Sequence, residues 1–213
     1  MLGPVQRSLV LAFVIAFLAP LPCSAEWSFD IGIGGAFTDD PDLDGKLESP
    51  PTSASTEDDI DASLTLSFRG VNWFEGLDFL GVGIGSSIFH MDGDVIESNI
   101  VGNISPLLMF RLPTENVQPY AGIGPGLFIS AIDSNSVTGG GSDIEDISFD
   151  VGVDFCTGVL FLPSDTFGIF LEYRFTYFEP DYKDRISASS TTDEIEAEFG
   201  THFLMFGFSI RWE

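Results

Sequence analysis

Eight times between residue 27 and the end of the chain, large apolar residues alternate with glycine, serine or charge. Successive side chains of a strand point to opposite faces, so this period of two specifies strands with unlike faces. "WSFDIGIGGAF" sets Trp27, Phe29, Ile31, Ile33 and Phe37 against Ser28, Asp30, Gly32 and Gly34. "IDASLTLSFRG", "LGVGIGSSI", "YAGIGPGLFI", "FDVGVDFCTGVLF", "FGIFLEYRFTYF" and "THFLMFGFSIRW" repeat the pattern. Ile100 to Leu112 is an eighth stretch, blurred by apolar residues on both faces. Each strand runs about 9 to 13 residues. Long connections fall near 38–59, 90–98, 133–146 and 179–198, and short ones near 70–78, 113–118 and 162–166.

An even number of such strands, joined by long and short loops in turn, is the layout of an outer-membrane barrel. The expected fold is therefore an all-β, eight-stranded antiparallel up-and-down transmembrane β-barrel. The alternative is a soluble sandwich or lipocalin-like barrel, which buries its apolar face and wets the other with Lys, Glu and Thr. Here the second face is mostly Gly and Ser, and the chain has only 8 basic residues. Large apolar residues suit lipid and small ones suit a narrow lumen. A sheet in a bilayer must close on itself to pair its backbone.

The N-terminus agrees. Arg7, an apolar run from Leu9 to Leu18 and a small-residue end at Cys23-Ser24-Ala25 describe a secretory signal peptide. The run is too short for a bilayer-spanning helix, which takes about 20 residues. Residues 1–25 are thus the expected leader and 26–213 the barrel domain. Pro20-Leu21-Pro22 before Cys23 does not fit a lipid-attachment box. Cys156 alone remains, so no intrachain disulfide forms in the mature chain. The net charge of -25 argues against a nucleic-acid partner. The long loops carry 22 of the 33 acidic residues (8, 3, 4 and 7), so charge and the 21 Phe are separated along the chain.

"QPYAGIGPGL" (118–127), "LEYRFTYF" (171–178) and "THFLMFGFSIRW" (201–212) resemble the P-Y-x-G-x-G, E-Y-R and T-H…G…R-aromatic stretches of small bacterial outer-membrane barrels, the OmpA-like and opacity-protein type. The resemblance implies a non-enzymatic protein of the cell outer membrane. Its partners would be membrane lipid, lipopolysaccharide and the barrel-assembly machinery, and it would be a monomer. That machinery reads a terminal aromatic residue in the family, whereas this chain places Glu213 after Trp212.

An eight-stranded barrel is just wide enough for side chains to fill. Glu172 and Arg174 point inward from the seventh strand, and Asp150 and Asp154 from the sixth. If Phe161 pairs with Phe167, Asp154 lies opposite Arg174. Asp30, Arg69 and Arg211 fall nearer the short turns. Buried charges need partners, so an ion-pair plug built on Arg174, Glu172 and Asp154 is expected. Trp27, Trp73 and Trp212 all fall at the short-turn end, as an interface belt requires.

Three further chemistries are weighed. Lipid-modifying catalysis needs a nucleophile, a base and an orienting group; only His90 and His202 are available, and no His-x-Ser pair occurs. A narrow channel for small or hydrophobic solutes could be lined by Phe128, Leu107 and Met109. Pro106 and Pro125, facing outward, would open the strand ladder locally. Finally, "DDPDLDGKLESP" places Asp40, Asp42, Asp44 and Gly45 as in an EF-hand, but position 12 is Pro51 and strands flank the loop. Those three carboxylates could grip a divalent ion loosely; no other cofactor is expected. The role is thus structural or surface-interactive, not catalytic.

Overall fold

The computed structural model describes residues 24–39, 42–48, 51–57, 62–91, 98–134, 144–184 and 193–213. The leader lies outside them, except that the backbone of Ser24 and Ala25 opens the first strand. The described residues form twelve strands: β1 (Ser24–Thr38), β2 (Asp42–Glu48), β3 (Pro51–Glu57), β4 (Ser63–Phe74), β5 (Leu77–Met91), β6 (Ser98–Arg111), β7 (Val117–Ser134), β8 (Ile144–Ser164), β9 (Phe167–Phe178), β10 (Asp181–Asp184), β11 (Asp193–Ala197) and β12 (Phe199–Trp212). Eight of them close a barrel in the order β1-β12-β9-β8-β7-β6-β5-β4, every pairing antiparallel.

The alternation decides the faces. Ile33, Leu66, Ile84, Ile104, Leu171 and Phe206 point out and are exposed, while the glycines, serines and charges between them point in. That is the arrangement of a membrane barrel and the inverse of a soluble one. Trp27 pairs with Trp212 at one rim and Phe37 with His202 at the other, ten residues on. At about 3.3 Å per residue and a tilt of about 40°, ten residues rise roughly 25 Å, the height of the apolar band of such barrels.

Two of the expected long connections hold strands of their own. β2 and β3 lie within 38–59, β10 and β11 within 179–198, and they form a sheet ordered β10-β11-β2-β3. Within it Asp42 sits opposite Glu57 and Asp44 opposite Ser55, while Asp40 lies outside the described residues.

The short connections are tighter than the sequence suggested. The stretch 70–78 contracts to a turn at Glu75 and Gly76, whose φ of 75° favours glycine. The extra length of β4 carries Trp73 into phase with Arg69 and Val71, so it points inward and is 5% exposed. This corrects its expected place in the interface belt; Trp27 and Trp212 remain outside and exposed. In single-tryptophan variants, brominated lipid should quench Trp27 and Trp212 and leave Trp73 bright. Equal quenching of all three would contradict the placement.

A second correction concerns register. β8 runs to Ser164 with a shift between Phe161 and Ser164, so Phe161 pairs with Ile169 rather than Phe167. Pro163 lies in that stretch and lacks the N–H a regular ladder needs. Asp154 therefore sits opposite Thr176, and Arg174 opposite Cys156.

Candidate functional site

The lumen is layered. At the long-loop end Ala36, Phe89, Met91, Val101, Phe128, Phe178, Phe199, Phe203 and Met205 form an apolar cluster. Phe128 and Phe178 stack at 4.5 Å, and Phe89 meets Phe203 edge-on at 5.0 Å. Toward the short turns lies a second cluster of Val71, Trp73, Leu107, Met109, Tyr120, Cys156 and Phe170. These residues explain the blurred stretch from Ile100 to Leu112: Leu107 and Met109 of β6 are apolar yet face inward, because the lumen there is packed rather than wet.

Five charges form a belt in this interior. Arg69 of β4 donates to Asp30 Oδ2 of β1 through Nε at 2.8 Å, and its Nη2 lies 2.7 Å from the same oxygen. Its Nη1 donates to Glu172 Oε2, and its guanidinium lies 4.8 Å from the Tyr120 ring centroid. Tyr120 donates its hydroxyl to the same Glu172 oxygen at 2.7 Å. Arg174 reaches Glu172 Oε1 at 3.3 Å and Asp154 at 3.8 Å. Asp154 accepts from Asn103 Nδ2 at 3.1 Å, and Asn103 also binds Ser87 and Ser105. Glu172, adjacent to both arginines, is the hub. Asp150 accepts from Ser148 Oγ at 2.5 Å.

Arg211 does not join the belt. It grips Glu26 at the short-turn mouth, through Nε at 2.7 Å and Nη2 at 2.5 Å, and Arg111 donates to the same carboxylate at 2.7 Å. Glu26, Arg111, Tyr120 and Asn103 were not singled out from the sequence. Parity would have put Arg111 in phase with Met109 and Leu107, had the stretch from Ile100 to Leu112 been less blurred.

Two other arrangements bear on function. On the outer face, Tyr173 Oη lies 2.6 Å from His202 Nδ1, and His202 Nε2 lies 3.1 Å from Asp39 Oδ2. Both ring nitrogens are thus engaged, and the chain of groups sits at the long-loop edge of the apolar band, where amphipathic rings belong. In the wall, the β6–β7 ladder pairs Ile104 with Leu127 and then Leu108 with Ile123, with no pairing between. The flanking register sets Pro106 opposite Pro125, and neither can donate to the ladder. Phe128 stands just inside this seam; a Cβ on Gly126 would lie 2.5 Å from its ring. No group of His, Cys, Asp and Glu that could hold a metal ion occurs among the described residues.

No protein-family model and no curated protein matches the sequence. Solved structures do match in fold. The outer-membrane protein OprG of Pseudomonas aeruginosa superimposes with a TM-score of 0.60 at 16% identity, over 87% of this chain and 96% of that one. The outer-membrane protein AlkL, solved in DMPC bilayers, gives 0.61 at 15% identity over 92% and 94%. The outer-membrane protease OmpT of Escherichia coli gives 0.51 at 8% identity over 89% and 97%. The fold is that of outer-membrane β-barrels.

Proposed function

We propose that this chain is an integral outer-membrane protein, exported by a cleaved leader, with a closed lumen and a structural or surface-interaction role carried by its acidic external loops. One observation supports the closed lumen: the Asp30–Arg69–Glu172–Arg174–Asp154 belt is buried among two apolar side-chain clusters, a packing that disfavours a water column for ions. Planar bilayers should record no reproducible single-channel steps, and such steps would overturn the reading. A folded barrel should also migrate differently on detergent gels before and after boiling. The OmpT likeness means the fold alone does not decide catalysis. Lipid A from cells with and without the protein should have the same mass spectrum.

A second reading, a narrow route for hydrophobic solutes, is favoured by the Pro106–Pro125 seam beside the apolar upper lumen. Cysteines replacing Leu108 and Ile123, paired across the seam and oxidised, should then slow uptake of a fluorescent alkyl probe. Unchanged uptake would remove this reading and leave the first.

A further inference from the structure

We propose that Arg111 and Arg211 form a binding site for a carboxylate or phosphate group presented at the short-turn mouth, and that Glu26 is its built-in, displaceable occupant. The outer-membrane reading supplies only the side of arrival, the periplasm. The site itself rests on geometry.

Arg211 holds the Glu26 carboxylate in a two-pronged fork, and Arg111 adds a third bond. A guanidinium fork joined by a second guanidinium recognises planar or tetrahedral oxyanions in general. Arg111 is placed without help from Glu26. Its Nε donates to the Asp78 carbonyl at 2.7 Å, and its guanidinium lies 4.1 Å from the Trp73 ring centroid. Trp73 in turn reaches Ser28 Oγ at 3.4 Å. The Arg111 half of the receptor is therefore preformed.

Its occupant comes from a strand end. The β1–β12 ladder begins only at Trp27 and Trp212, and the β1–β4 register slips between Ser24 and Glu26. Glu26 pairs with Trp73 of β4 but lies beyond the first β1–β12 pair, so its strand end is held along one edge.

A cavity of about 20 Å³ adjoins the mouth, with room for about one water. Two buried acceptors on its wall, Ser209 Oγ and Gln118 Oε1, have no hydrogen-bond partner among the described residues. A ligand bearing a hydroxyl or amine beside its acid group would satisfy them. Charge points the same way. Three of the chain's 8 basic side chains, Arg69, Arg111 and Arg211, line the cavity with Glu26 and Asp30. The lining sums to +1 with Glu26 in place (3 − 2) and +2 with it withdrawn (3 − 1), in a chain of -25 overall.

The test uses protein extracted from membranes in detergent, labelled at arginine, and follows the Arg111 and Arg211 Nε–Hε resonances. Wild type and Glu26→Gln are titrated with acetate, inorganic phosphate and chloride. The proposal expects saturable shifts with acetate or phosphate, at least tenfold tighter in Glu26→Gln, and none with chloride. Acetate alone would assign a carboxylate ligand, phosphate alone a phosphate ligand. Equal affinity in both proteins, no shift in Glu26→Gln, or shifts that survive a further Arg111→Gln change would each overturn it. Should Glu26→Gln fail the boiling test for a folded barrel, wild type at saturating anion decides: displacement shifts support the site, and their absence rejects it.

Discussion

Arg69→Ala should destabilise the barrel by about 3–5 kcal/mol, more than any other single change in the belt. Arg69 donates to both Asp30 and Glu172, and it packs over Tyr120 and Phe170. Its removal leaves two carboxylates in a packed interior without their principal cation. Arg174, the expected centre of the plug, should matter less. It stands 3.3 Å from Glu172 and 3.8 Å from Asp154, and its loss leaves Glu172 with Arg69 and Tyr120, and Asp154 with Asn103. Arg174→Ala is expected to cost about 1–3 kcal/mol, the range for one poorly satisfied buried polar group. Urea unfolding in lipid vesicles, followed by tryptophan fluorescence, measures both. Equal effects would show that the belt is not organised around Arg69, and an unchanged Arg69→Ala curve would refute the ion-pair interior.

The second large effect is steric. Gly207 of β12 pairs with Gly32 of β1 where the barrel closes, and the Phe170 ring lies over both. A Cβ on Gly207 would stand 2.1 Å from the Ile31 carbonyl oxygen and 2.5 Å from Phe170. The first of these is backbone and cannot move aside alone. Gly207→Leu should destabilise by more than about 3 kcal/mol, beyond ordinary overpacking, and leave little heat-modifiable barrel. Gly102 is the control: nothing lies within 4 Å of its Cβ position, on the outward face. Gly102→Leu should shift the unfolding curve by less than about 1 kcal/mol. Folding of Gly207→Leu with wild-type stability would show that the closure seam has slack the structure does not suggest.

Strand parity was legible in the sequence because lipid and lumen demand opposite kinds of residue, and alternating runs of glycine and serine mark the inner face. The ends of the strands were not. Gly70 and Asn72 look like turn residues, yet β4 continues through both and carries Trp73 inside. Pro163 hints at an irregular β8, but only the paired backbone fixes how far the register moves. The belt drew on residues whose inward phase was plain, Asp30, Arg69, Asp154, Glu172 and Arg174. Which of them meet depends on the stagger between strands that are distant in sequence, and that stagger has no local signature. Glu26 was read only as the residue after the leader, since nothing in one sequence says that two arginines 85 and 185 positions away converge on it.

The small external sheet ties β2, which follows β1, to β11, which precedes β12. These are the two strands whose pairing joins the ends of the chain, across a separation of 185 residues from Trp27 to Trp212. A contact that distant forms late and would ordinarily peel first. Here peeling β1 from β12 also requires unzipping the β2–β11 ladder above it. The added ladder raises the barrier to escape more than it speeds entry, so its main effect is on the lifetime of the native barrel.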